Sequence, residues 1–155
     1  MKRLLILCLF CLPPKLSAME GLFAGLGTEI NANSVNEPAI SGGLVLGFDL
    51  YPHWALGFKA SYSHNMNDTS VLEPQALFRY YLAPLCRGPF AQAEAGCSII
   101  FAPDSTYPVF TGAWAMGWRF NLASIGYLEP ALRIGYPFLW GLNLTAGILI
   151  KSRKI

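Results

Sequence analysis

Ten ionisable side chains recur at alternating positions of otherwise apolar or small-residue runs: Glu29, Asp49, Lys59, Glu73, Arg79, Glu94, Arg119, Glu129, Arg133 and Lys151. Both signs are mixed, so mutual ion pairing is the first chemistry open to them, ahead of selection for a solute of one charge. Arg119 and Glu129 each lie five residues from Ser124. If the chain turns back there as an antiparallel hairpin, the two stand opposite one another; about a turn near Cys86, Arg79 and Glu94 fall close to register. Catalysis has far thinner support. His64 with Asp68 or Asp104 is the one acid–base set that the loops would gather, and no nucleophile stands beside it. His53 reads as a turn residue, and no ligands pair at metal-binding spacing. No catalytic residue, metal or cofactor is therefore expected.

What would position the charges is a set of strands. Val71 to Leu82, VLEPQALFRYYL, sets Leu72, Pro74, Ala76, Phe78, Tyr80 and Leu82 on one face. Glu73, Gln75, Leu77, Arg79 and Tyr81 occupy the other, the period-two signature of a strand with unlike sides. The same alternation runs through Gly21–Ile30, Ile40–Leu50, Trp54–His64, Pro89–Ile100, Val109–Asn121, Gly126–Tyr136 and Gly141–Lys151. Eight runs of about 10 to 12 residues match the length needed to cross a bilayer at a tilt of about 45°. The connections alternate too. Polar stretches Asn31 to Pro38, Asn65 to Ser70 and Ala102 to Pro108 follow the first, third and fifth runs, short turns follow the second, fourth and sixth, and Pro137 to Trp140 is a short last connection. The Glu-Pro of the fourth run recurs at Glu129-Pro130, in a strand of opposite direction, which argues against an internal repeat. A proline removes one ladder donor, so a bulge is expected at Pro74 and at Pro130.

Composition agrees with strands in lipid. The chain of 155 residues is 54% hydrophobic and 13% charged, with mean hydropathy +0.40. That is oily for a soluble domain, yet no run reaches the roughly 18 apolar residues of a membrane helix. Residues 1–18, with Met1-Lys2-Arg3, an apolar stretch from Leu4 to Leu12 and a small-residue end at Ser17-Ala18, read as a cleaved export signal, leaving 19–155 as one barrel domain. Large residues ahead of Cys8 and Cys11 argue against lipid attachment there. Of 11 basic and 9 acidic residues, Lys2, Arg3 and Lys15 fall in the leader, which leaves 8 against 9 and a net charge of −1. Nucleic-acid binding loses its basic patch. Cys86 and Cys97 are separated by about 8 strand residues or roughly 26 Å and would not bridge.

Which face points inward follows from volume. An eight-stranded barrel is only just wide enough for side chains to fill it. The apolar face carries Trp54, Phe58, Phe78, Tyr80, Trp114, Trp118 and Phe120, whereas the other is mostly Gly, Ala, Ser and the charges. Bulk belongs outside, where it requires lipid; a soluble lipocalin-like barrel would reverse the faces. Trp54, Tyr80, Phe90, Trp118 and Phe120 then form a girdle at the short turns, and Tyr62, Phe110, Tyr136 and Trp140 one at the opposite end. The expected lumen-lining charges are Lys59, Glu73, Arg79, Glu94, Arg119, Glu129 and Arg133.

The eight alternating runs, the turn at Tyr51-Pro52 after Gly47-Phe48-Asp49-Leu50, and strand ends such as Phe78-Arg79-Tyr80-Tyr81-Leu82 resemble the small eight-stranded bacterial outer-membrane barrels, the class of the outer membrane protein A transmembrane domain and outer membrane proteins X and W. The resemblance covers about residues 20 to 151. The chain departs from it at Lys151 to Ile155, where these proteins carry a terminal aromatic. It implies an all-β, antiparallel up-and-down transmembrane barrel in the cell outer membrane, monomeric, non-enzymatic and surrounded by lipid. By the same resemblance it would be structural and surface-exposed, or a small channel for small or hydrophobic solutes. An adhesin whose outer loops hold a host or envelope ligand is the alternative.

Overall fold

A computed structural model describes residues 19–32, 38–50, 52–65, 68–122 and 125–151, without the side chains of 19, 20 and 151. The expected leader lies outside the described residues. Eight strands follow one another: β1 (Met19–Ala32), β2 (Pro38–Leu50), β3 (Trp54–Asn65), β4 (Ser70–Ala83), β5 (Arg87–Ala102), β6 (Ser105–Leu122), β7 (Gly126–Tyr136) and β8 (Trp140–Lys151). Each pairs antiparallel with the next, and β1 pairs with β8 from Gly21↔Lys151 to Ala32↔Trp140, closing the barrel. Closure leaves the ladder without an edge, as a lipid-immersed sheet requires.

The two faces separate as volume dictates. Outside, Leu22, Leu44, Phe58, Trp114, Met116 and Ile134 are exposed, and Leu26 and Phe110 reach 74%. Inside, Glu29, Asp49, Glu73, Arg79, Glu94, Arg119, Glu129 and Arg133 are buried. Such an inverted distribution would be costly in water and is the stable one in hydrocarbon.

Both prolines sit in unshifted ladders. Pro74 pairs with Ala60 on β3, and toward β5 the pairing lapses after Leu72↔Ile99 and resumes at Gln75↔Gly96 in the same register. Pro130 pairs with Leu144 on β8 and lapses only toward β6, between Gly117↔Ala131 and Phe120↔Leu128. The bulges expected there do not form, because the missing N–H faces a single neighbour and its loss needs no extra residue. The register instead shifts between Met19 and Gly21 and between Tyr81 and Ala83. The second shift adjoins a turn in which Leu85 and Cys86 have positive φ, as does Gly88 at the start of β5.

The wall is uneven in height. Ala102 to Pro108, expected as a loop, is mostly strand: β5 and β6 remain paired out to Ala102↔Ser105, whereas β6 meets β7 only from Gly112 onward. The β5–β6 hairpin therefore stands above the β7–β8 turn. Beside Pro74 the strands approach closely, since a Cβ on Gly96 would meet the Pro74 carbonyl oxygen and Gln75 Cα, while one on Gly42 would meet nothing within 4 Å. Gly96→Ala is expected to destabilise the barrel by about 1–3 kcal/mol. Gly42→Ala is expected to be neutral or slightly stabilising, and urea-unfolding midpoints in lipid vesicles would compare the two.

Candidate functional site

The lumen is filled in layers. At the end that carries Met19 and Lys151, hereafter the terminus end, Arg79 from β4 and Arg119 from β6 converge on Glu129 from β7. Arg79 Nη1 donates to Glu129 Oε1 at 2.7 Å and to Tyr81 Oη at 2.9 Å, and its Nε donates to Gln92 Oε1 at 2.7 Å. Arg119 Nε donates to the same Glu129 oxygen, and its Nη1 lies 3.2 and 3.1 Å from the two Asp49 oxygens. Aromatic rings enclose both guanidinium groups. Arg79 Cζ lies 4.1 Å from the Phe90 ring centre, and Arg119 Cζ lies 4.7 Å from those of Phe23 and Tyr127. Stacking of this kind suits a planar, weakly hydrated cation that must leave water.

A second layer is organised on Arg133 of β7. Its Nε donates to Glu94 Oε2 at 2.9 Å, while Nη2 and Nη1 lie 3.5 Å from Glu73 Oε1 and 3.6 Å from Glu29 Oε1. Lys59 Nζ is 3.1 Å from Glu29 Oε2 and 3.7 Å from Glu94 Oε2. Gln75, with its amide turned to satisfy both neighbours, donates to Glu94 Oε2 at 3.0 Å and accepts from Arg133 Nη2 at 2.9 Å. Gln92 Nε2 donates to Glu94 Oε1 at 2.5 Å and so ties the two layers together. Toward the loop end, Ser98 and Thr111 hydroxyls donate to Glu73 Oε1 at 3.0 and 3.2 Å. The gap among these groups has a volume of about 30 Å³, room for about two waters. Above them, Phe138 packs with Ala39, Val71 and Ile100.

All seven charges expected in the lumen point into it, and each makes at least one ion pair. Their partners differ from the expectation in one case. Arg119 and Glu129 do pair, but Arg79 stands opposite Gln92 while Leu77 stands opposite Glu94. The two-residue offset sends Arg79 across the lumen to Glu129 and leaves Glu94 to Arg133 and Lys59. Phe90, expected in the outer girdle, is buried inside with Phe23, Tyr81 and Tyr127. It shares the parity of Gln92 and Glu94, which is the signal that places it inside. The rest of the girdle at the short turns is outward: Trp54 stacks on Phe78 at 4.8 Å, and Trp118 on Phe120 at 5.9 Å.

The acid–base set at the rim is not assembled. His64 Nδ1 lies 3.0 Å from Ser70 Oγ, which also accepts from Tyr62 Oη at 2.8 Å, and all three stand on the outer wall. His53 Nδ1 lies 2.8 Å from the Tyr81 carbonyl oxygen and its ring stacks on Tyr80, as a turn residue does. Cys86 Sγ donates to the Trp54 carbonyl oxygen at 3.5 Å and to that of Leu50 at 3.6 Å, and Cys97 is a free thiol. Among the described residues, no group of three or more His, Cys, Asp or Glu side chains would hold a metal.

No protein-family profile matches the chain, and no curated protein matches it in sequence. Its shape does match solved structures. Neisserial surface protein A superposes with a TM-score of 0.61 at 13% identity, over 85% of this chain and 96% of that one. The fold is that of the small eight-stranded outer-membrane barrels. The N-terminal β-barrel domain of Pseudomonas aeruginosa OprF gives a TM-score of 0.55 at 12% identity, covering 83% and 97% of the two chains. The de novo designed TMB2.3 gives 0.50 at 19%, covering 87% and 98%. At these identities what is shared is the barrel and not its side chains.

Proposed function

We propose that this protein is an integral outer-membrane barrel without enzymatic activity, closed along its axis, which serves the envelope through its wall and its loop-end surface and not as a diffusive pore. The observation that carries the reading is the state of the lumen charges: Arg119 is 1% and Arg133 2% exposed, each locked to carboxylates from several strands. A conducting lumen needs sites that an ion can enter and leave, and paired charges of both signs offer few. Export by the leader and a monomeric state in lipid belong to the same proposal.

Reconstituted into planar bilayers, the purified protein is expected to show no steady conductance steps at neutral pH. Regular steps of one amplitude would overturn the closed reading in favour of a small channel. The adhesin reading draws support from the tall β5–β6 hairpin, which exposes Phe101, Tyr107 and Phe110 near the rim. Shortening that hairpin would abolish ligand capture by an adhesin and leave a purely structural barrel unchanged.

A further inference from the structure

Two spaces lie one above the other along the barrel axis. The inner one is the gap of about 30 Å³ among the charged layers, to whose wall Ser41 and Ser61 contribute. The outer one is a solvent-open cup of about 160 Å³ at the loop end, with a mixed lining that includes Asn65, Thr69 and Tyr107. The two share no lining residue. What separates them is apolar. Ala39 lies one inward position closer to the loop end than Ser41 on β2, Val71 than Glu73 on β4, and Ile100 than Ser98 on β5. These three side chains form one cluster with Phe138 of the β7–β8 turn, which is 6% exposed and lines the cup. Around and beneath the cluster the packing is closed: Asn31, Ser63, Ser98 and Thr111 are each at most 2% exposed.

Phe138 enters from the low side of the wall, between the ends of β7 and β8. Two backbone hydrogen bonds anchor its turn, from Gly135 N to the Leu139 carbonyl at 3.3 Å and from Leu139 N to the Ala32 carbonyl at 2.9 Å. From these positions we infer that the β7–β8 turn is an apolar gate, with Phe138 as its leaf, between the solvent-open cup and the polar gap beneath. An apolar constriction excludes water by dewetting, and swinging the leaf outward exposes a buried phenylalanine ring, which holds the gate shut. The gate rests on the closed-lumen reading and assigns the loop-end seal of that lumen. The size of the inner gap limits what it admits to water and solutes of similar size.

The test uses the full mature chain in lipid nanodiscs with Cys86→Ser and Cys97→Ala. One new thiol is placed either below the leaf, by Ser98→Cys, or in the cup, by Thr69→Cys. Methyl methanethiosulfonate is the probe: its methylthio group transfers to the thiolate with loss of methanesulfinate, and mass spectrometry follows the rate. A thiol beside Glu73 ionises less readily in any case, so the deciding comparison is Ser98→Cys with and without the ring. Phe138→Ala is expected to speed labelling there by about 10- to 100-fold, the opening penalty of one buried phenylalanine, and to leave Thr69→Cys unchanged. Phe138→Leu, which keeps much of the apolar bulk, is expected to fall between parent and Phe138→Ala, and a heat-modifiable gel band verifies the barrel in each. Equal acceleration at the two thiols would overturn the gate. Planar-bilayer recording separates the remaining outcomes. A silent parent with an unchanged rate at Ser98→Cys in both variants would overturn the gate alone, whereas regular conductance steps in the parent would overturn the closed reading and the gate with it.

Discussion

Glu129→Ala is expected to cost about 3–5 kcal/mol of barrel stability, the penalty of leaving buried charge without its partner. Glu129 Oε1 is the shared acceptor of Arg79 and Arg119, and both guanidinium groups are buried at the centre of the terminus-end layer. Without it Arg119 retains Asp49, but Arg79 retains only the neutral acceptors Gln92 and Tyr81. The loss would be read as a lowered urea midpoint in lipid vesicles. Removing the whole layer at once, with Arg79→Met, Arg119→Met, Glu129→Leu and Asp49→Asn, is expected to be far less damaging than the single change, because no ion is then stranded. If Glu129→Ala lay within about 1 kcal/mol of the parent, the layer would be hydrated and exchangeable. The closed-lumen reading would fall with it.

The second large effect belongs to the outer wall. Leu46 and Phe58 are cross-strand partners on β2 and β3, and Phe58 lies four residues from both Trp54 and Tyr62, which mark the two girdles. This pair therefore marks the hydrocarbon midplane. Leu46→Arg is expected to destabilise by about 2–4 kcal/mol, and Tyr62→Arg, at the interface, by about 0–1 kcal/mol. Leu46 is half exposed and fills no cavity, so in a water-soluble barrel the same change would be close to neutral. Equal costs at the two positions would argue against a bilayer around this wall.

The two predictions rest on different levels of information. Outer-face residues such as Leu46 and Phe58 were legible in the linear sequence, because side chains alternate across a strand whatever the strand pairs with. The contents of the lumen were legible as a set for the same reason: Glu73, Arg79, Glu94, Arg119, Glu129 and Arg133 share the parity of small residues. Phe90 shows the limit of reading by residue type. An aromatic near a strand end suggests a girdle, yet its parity with Gln92 and Glu94 places it inside, stacked on Arg79.

What one chain of letters determined by itself was the number of strands, their antiparallel order and the face each residue occupies, since all three follow from a local period of two and from turn signals. What only the tertiary structure decided was which charge meets which. Arg79 finds Glu129 across the lumen, 50 positions away along the chain, and a two-residue offset in the β4–β5 register decides against Glu94. Closing the barrel brings strands together that no hairpin joins, and the partners of a buried charge are set by that closure and by register, neither of which a local pattern contains.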